Sequence, residues 1–286
     1  MKKILVTGAN GQLGQCLQKI SSQFEEFEFI FTDSETLDIT NKEEVNDFFW
    51  QNAPDFCINA AAYTAVDLAE TDIEKAFLVN ADGTENLAEA CAENNAQFIH
   101  VSTDYVFDGE NNLAYTEEDF TNPLGVYGAS KLAGDELALE VNPCSVILRT
   151  SWVYSEFGKN FVKTMLNLFA TKDELNIVAD QFGQPTNAND LAEAIMKIIK
   201  SEKITPGIFN FSNLGRISWF DFAEKIAELS EAKIKLNAIE TSQYPTPAKR
   251  PKNSVLDLDK ISKTYAIQLK SWEESLEDCV QILQNN

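Results

Sequence analysis

Lys2-Lys3-Ile4-Leu5-Val6-Thr7-Gly8-Ala9-Asn10-Gly11-Gln12-Leu13-Gly14 is the stretch from which the fold is read. Ile4-Leu5-Val6 form a short apolar run, flanked by Lys2, Lys3 and Thr7, which predicts a buried strand. From Gln12 to about Ile20 apolar residues recur at helical spacing. Glycines at 8, 11 and 14 join the strand to the helix, with one more residue between the first two than in the G-x-G-x-x-G fingerprint. The physical needs are the same: a tight turn, close approach of backbone to a pyrophosphate, and a helix N-terminus aimed at an anion. A glycine-rich turn between any strand and helix is the plainer alternative. Position between the first strand and the first helix favours a dinucleotide cradle built from Gly8, Asn10, Gly11, Gln12, Leu13 and Gly14.

A second strand, Glu28 to Thr32, ends at Asp33, nineteen residues past Gly14. A carboxylate there accepts hydrogen bonds from adenosine ribose hydroxyls and repels a 2′-phosphate, so Asp33 favours NADH over NADPH unless Thr32 or Ser34 lets it swing away. Asp38-Ile39 follow at a distance that reaches an adenine ring, or else they cap the helix opening at Asn41-Lys42-Glu43-Glu44. Strands are expected at Ile4–Thr7, Glu28–Thr32, Phe56–Ala60, Phe98–Ser102 and Val146–Thr150, with helices between. That alternation predicts an α/β fold, a Rossmann-like doubly wound parallel sheet with helices on both faces. Beyond Thr150 the rhythm loosens, with helices near 160–171, 189–200, 218–230 and 271–284. The division expected is a dinucleotide-binding domain over 1–155 and a smaller α/β substrate-binding domain over 156–286, which can return elements to the first.

Composition narrows the function. The chain has 286 residues, enough for one large or two modest domains. Its 23 basic against 45 acidic residues leave a formal charge of −22, which speaks against nucleic-acid or anionic-membrane partners. An anionic substrate must therefore meet local cations, for which Lys131, Arg149, Lys249 and Arg250 are candidates. With neither a signal-peptide pattern nor a membrane-length apolar run, a cytoplasmic protein is expected. Five cysteines lack C-x-x-C spacing and read as reduced small hydrophobes, with no metal site. His100, the one histidine, lies in the apolar run Phe98-Ile99-His100-Val101 and reads as a hydrogen-bonded core residue rather than a catalytic one.

Acid–base chemistry then falls to Tyr127 in Val126-Tyr127-Gly128-Ala129-Ser130-Lys131. Residues four apart share a helix face. Lys131 is expected to favour the ionised phenol, and Tyr127 to pass a proton to a substrate oxygen. A surface helix is the plainer reading of the pair alone. The strand Phe98 to Ser102 runs into Thr103 at the sheet's C-terminal edge, where its hydroxyl can donate to a substrate carbonyl, or simply serve a β-turn with Asp104.

Three further blocks carry a resemblance: Ser102-Thr103-Asp104-Tyr105-Val106-Phe107-Asp108-Gly109, Arg149-Thr150-Ser151-Trp152-Val153-Tyr154, and Asp180-Gln181-Phe182-Gly183-Gln184-Pro185-Thr186. With the glycine loop, Asn59-Ala60-Ala61-Ala62-Tyr63, the Tyr127/Lys131 segment and Arg250-Pro251-Lys252-Asn253-Ser254, nearly the whole chain resembles the extended short-chain dehydrogenase/reductase superfamily. Within it, the chain resembles the dTDP-4-dehydrorhamnose reductase family. Sugar dehydratases of the superfamily differ in the first block, carrying Glu where this chain has Tyr105. The resemblance implies NAD(P)H-dependent reduction of a 4-keto nucleotide sugar to dTDP-L-rhamnose, for cell-surface polysaccharide synthesis. By it, Tyr127 protonates the alkoxide, Lys131 also holds the nicotinamide ribose and Thr103 fixes the carbonyl. Ala60, Ala61 and Ala62 leave room for the cofactor, and Asp104, Tyr105 and Trp152 line the sugar pocket. Asn160 or Arg250 reaches the diphosphate. Core packing competes for Trp152, and a solvated loop for Arg250. The family is usually written with NADPH, against the reading of Asp33. Some members bind Mg2+ through glutamates at a dimer contact, but Gln15 and Cys16 stand near that place and no metal ligand is assigned; the chain is expected as a monomer or homodimer. Rival readings are a regulatory nucleotide-binding subunit lacking catalysis, and an epimerase or dehydratase that regenerates its cofactor.

Overall fold

Alternate residues of the first strand face opposite ways, and both faces are apolar, so the strand is buried on two sides. In the structure, a computed structural model describing residues 1–285, β1 (Lys2–Thr7) sends Ile4 and Val6 to one core layer and Leu5 to the other. The same alternation holds in β3 (Phe56–Asn59) with Cys57 and Ile58, and in β4 (Gln97–Thr103) with Phe98 and Ile99. With β2 (Phe27–Phe31) and β5 (Val146–Thr150), all five expected strands fall within a few residues of their predicted bounds.

Among the described residues the main sheet has six strands, all parallel, in the order Gly207–Asn210, β5, β4, β3, β1, β2. One face carries the helices Gln12–Ser21 and Ala188–Ile199; the other is covered by Lys42–Asn52, Gly83–Glu93 and Val126–Val141. The strand order reverses between β1 and β3, and at such a switch point the loops beyond the strand ends part into a crevice. The sixth strand was not foreseen as part of this sheet. Gly207-Ile208-Phe209-Asn210 is too short to show periodicity, and its partner, β5, lies some sixty residues earlier.

A separate cluster joins the helices Phe161–Phe169, Trp219–Leu229 and Trp272–Gln284 around Tyr154, Phe222, Ile226, Trp272 and Leu276. A two-stranded parallel ladder, Glu174–Val178 with Lys235–Ile239, lies against it. The loop after β4 is pinned by its own apolar knot, Val106, Phe107 and Tyr115 with Leu256 and Leu258. Backbone bonds from Tyr115 N to Val255 O and from Asp257 N to Tyr115 O, both 2.7 Å, fasten that knot. Thr103 and its neighbours are thereby held from both sides. Among the described residues no helix is long and apolar enough to cross a membrane.

Candidate active site

A cleft of about 1100 Å³ opens above the C-terminal ends of β1, β3 and β4, large enough for a dinucleotide and more. The glycine loop forms its floor. Gly8 has φ +68°, and a Cβ there would stand 2.6 Å from Ala60 O and Ala61 N. A Cβ on Gly14 would sit 2.6 Å from Ala9 Cα, so only glycine lets the helix start this close to the loop. Gly11 caps the helix Gln12–Ser21 with no side-chain acceptor, leaving the first-turn N–H groups to an anion. The cradle is shaped for a pyrophosphate.

Asp33 stands at the cleft wall, and its carboxylate is fixed. Oδ2 accepts from Asn10 Nδ2 at 2.6 Å; Oδ1 accepts from Thr36 Oγ1 at 2.9 Å and from the N–H groups of Glu35 and Thr36 at 3.1 Å. These bonds, led by the Thr36 hydroxyl, hold the carboxyl below its usual range. The expectation that it swings away through Thr32 or Ser34 finds no support in this arrangement. Asp38 and Ile39 both line the cleft, and Asp38 also accepts from Thr40 N and Oγ1 at 3.0 and 2.7 Å. The cap of the following helix is Asn41, not Asp38. Ala60, Ala61 and Ala62 line the same cavity past β3.

Tyr127 and Lys131 enter from the helix Val126–Val141, with Thr103 at the end of β4. Gly128 makes this possible, because a side chain there would strike the carbonyl of Tyr105. The Tyr105 and Tyr127 rings meet edge to face, with centroids 5.7 Å apart. Thr103 Oγ1 donates to Asp104 Oδ1 at 3.1 Å and accepts from Tyr105 N at 3.2 Å. Asp104 is wholly buried, which raises its carboxyl to about 6.

One expectation needs correction. Lys131 was expected to lower the phenol's proton affinity, yet burial pushes Tyr127 up to about 12, with only the Thr103 hydroxyl pulling the other way. The lysine is engaged elsewhere: Nζ donates to Val101 O at 2.8 Å and lies 3.0 Å from His100 Nε2. Burial in turn drives Lys131 down to about 8. His100 is the buried core histidine expected from its strand, but it touches the lysine, a contact no local pattern announces.

The sugar side holds two more surprises. Trp152 adopts φ +48° and stacks on Trp219, with centroids 3.5 Å apart and planes 9° off parallel. Both line the cleft; Trp219 escaped the sequence reading because it begins a helix whose Phe222 and Ile226 are core. Asn160 and Arg250 stand outside the cleft lining. Asn160 caps the helix Phe161–Phe169 and donates to Gln12 Oε1 at 2.9 Å, which braces the cradle. Arg250 grips Asp67 with two bonds of 2.9 and 3.0 Å. Arg149, a candidate partner for an anion, is buried with Nε 3.3 Å from Asp135 Oδ2. Among the described residues the cations lining the cleft are Lys75, Lys131 and Lys159.

A glycine cradle at the switch point of a parallel sheet, with a tyrosine and lysine four apart beside it, defines a Rossmann-fold protein of the short-chain dehydrogenase/reductase type. Comparison with known proteins narrows the class. The RmlD substrate binding domain family matches residues 1–285. The chain is 45% identical to dTDP-4-dehydrorhamnose reductase of Aggregatibacter actinomycetemcomitans, over 97% of this chain and 98% of that one. A solved dTDP-4-dehydrorhamnose reductase of Clostridium acetobutylicum superposes with a TM-score of 0.94 at 43% identity, covering 99% of each chain. That of Bacillus anthracis, solved in complex with NADP, gives 0.95 at 38% identity, covering 99% of this chain and 100% of that one. The chain belongs to the RmlD family of dTDP-4-dehydrorhamnose reductases.

Proposed function

We propose that the protein reduces the 4-keto group of dTDP-4-dehydro-β-L-rhamnose to dTDP-L-rhamnose at the expense of a reduced nicotinamide cofactor. The observation that carries this reading is the meeting of Thr103, Tyr127 and Lys131 at one wall of a cleft whose floor only glycine can form. The bound cofactor supplies a hydride to the keto carbon. The chain's own residues do the rest. Gly8, Gly11 and Gly14 admit the pyrophosphate, and the uncapped helix N-terminus offsets its charge. The Thr103 hydroxyl, oriented by the Tyr105 amide, turns its one O–H from Asp104 to the keto oxygen as charge grows there. Tyr127, kept protonated by burial, gives its phenolic proton to that oxygen. Lys131, when charged, restrains the phenolate that remains. Trp152 and Trp219 form an aromatic wall for the sugar, and Lys75 and Lys159 offset phosphate charge in a strongly acidic protein.

We assign cofactor binding mainly to residues 1–155 and the sugar side mainly to 156–286, whose segment 188–210 completes the sheet and its helical layer. The fixed Asp33 carboxylate supports use of NADH, while the Bacillus anthracis relative's complex with NADP supports NADPH. No residue is assigned to magnesium. Five free cysteines, four of them buried, suit a reducing, cytosolic setting.

The test is stoichiometric. Purified protein, a 4-keto dTDP-sugar and either reduced cofactor should consume one cofactor per sugar reduced. Sugar turnover without net cofactor loss would point to an epimerase or dehydratase, and tight cofactor binding with no turnover to a regulatory subunit.

A further inference from the structure

Hydrogen-bond direction around the one histidine can be traced from two fixed ends. The Ala61 N–H is a donor only, and it donates to Asn59 Oδ1 at 3.1 Å. At the other end Thr84 Oγ1 donates to the Asn80 carbonyl at 2.8 Å, and so accepts from Asn59 Nδ2 at 3.3 Å. Both ends set the Asn59 amide the same way, with Nδ2 toward His100 Nδ1 at 3.0 Å. Nδ1 must therefore accept, and the proton of a neutral ring sits on Nε2. That Nε2–H is aimed at Lys131 Nζ, 3.0 Å away.

A charged lysine has three N–H groups and no lone pair, so it cannot accept this bond; a neutral amine can, while still donating to Val101 O. A second acceptor waits nearby. Asp135 Oδ1 is buried, lies 3.8 Å from His100 Nε2, and has the Ser102 hydroxyl as its near polar neighbour, with no bond of normal geometry made among the described residues. Its other oxygen is held by Arg149.

We propose that His100 is a positioning residue for the reaction, a selector that ties the charge of Lys131 to its own hydrogen bond. With Nδ1 fixed by Asn59, Nε2–H donates to the neutral amine of Lys131. When Lys131 takes a proton from solvent, the same N–H turns to Asp135 Oδ1, and the ammonium is freed for Tyr127 and the cofactor. The inference rests on the reductase reading above for its catalytic meaning, but not for its chemistry. The groups facing the ring bear this out. The helix Val126–Val141 brings Lys131 and Asp135, and β5 brings Arg149 onto Asp135. Among the described residues, β3 and the helix Gly83–Glu93 bring the neutral Asn59 and Thr84. Phe98 stacks on the ring at 6.0 Å and the ring is wholly buried, while Lys131 borders the cleft from which its proton comes.

A lone histidine makes the test direct, because tag-free protein gives a single imidazole signal set. Nitrogen-15 NMR between about pH 6 and 9 should show an unprotonated Nδ1 and a protonated Nε2 throughout. The Nε2 signal should shift with a midpoint near the Lys131 value of about 8, without the ring gaining a proton. Lys131→Met should abolish that transition. An Nδ1–H tautomer, an imidazolium at neutral pH, or a flat Nε2 signal would overturn the proposal. In kinetics, His100→Leu removes the N–H facing the lysine, so the alkaline limb of kcat/KM for cofactor should move up by roughly one pH unit. An unmoved limb in a folded variant contradicts the proposal. The NMR arm on wild-type protein stands whether or not that variant folds, and whether or not the keto-sugar is the substrate.

Discussion

Individual residues carry the chemistry, and their geometry shows what pattern alone could reveal. Tyr127, Lys131 and Thr103 were legible because the chemistry demands those types at those spacings, and the structure gathers all three at the cleft. Their electrostatics were not legible. The expectation for Tyr127 counted a neighbouring charge, whereas burial dominates, and burial is a property of the folded whole. The pairing of Asn160 and Arg250 was not legible for a related reason: each polar side chain has a partner, Gln12 or Asp67, that lies more than a hundred residues away. Asp33 belongs at this scale too. Its carboxylate is anchored by Asn10 and Thr36 where it would face a ribose, and an anchored charge cannot yield to a 2′-phosphate. Asp33→Ala should therefore shift the ratio of kcat/KM values toward NADPH by at least roughly tenfold, since unrelieved like-charge contacts cost several kcal/mol. Steady-state kinetics with both cofactors would show it, and an unchanged ratio would mean that the carboxylate does not meet the ribose.

Elements set the positions that residues then use. The five strands and the helix Gln12–Ser21 were readable to within a few residues because strands buried on both faces are continuous apolar runs bounded by turn residues. Gly207–Asn210 was not, since four residues carry no period and only β5 supplies their meaning. Trp219 was hidden for the same reason, as its stacking on Trp152 depends on how two distant elements cross. The join between β1 and its helix is the element most open to test. A methyl group on Gly14 would lie 2.6 Å from Ala9 backbone atoms, which cannot rotate out of the way as a side chain can. Gly14→Ala should push the helix off the loop and weaken cofactor binding by roughly tenfold or more, about 1.4 kcal/mol, in a calorimetric titration. Unaltered affinity would show that the loop does not hold the pyrophosphate.

Across the whole molecule, folding buries a lysine at the edge of the cleft, and stability should record that. Lys131 is buried, with its proton affinity lowered from 10.5 to about 8. Between those values the unfolded chain binds the proton and the folded one does not, so this group's cost is full below about pH 8 and fades as pH rises toward 10.5. Urea unfolding should show wild type gaining on Lys131→Met across that window, by at most roughly 1.4 kcal/mol per pH unit. A gap independent of pH would mean an ordinary lysine. The charge of −22 belongs to this scale as well: a net value did not reveal that Lys75 and Lys159 would stand at the cleft.

The central claim is that the Tyr127 hydroxyl supplies the proton, and single-turnover reduction of a 4-keto dTDP-sugar by Tyr127→Phe tests it most directly. The ring remains and only the acid is lost. The rate should fall by roughly 10²- to 10⁴-fold while the dissociation constant for reduced cofactor stays within about twofold. A variant that reduces the sugar at close to the wild-type rate would remove Tyr127 from the mechanism.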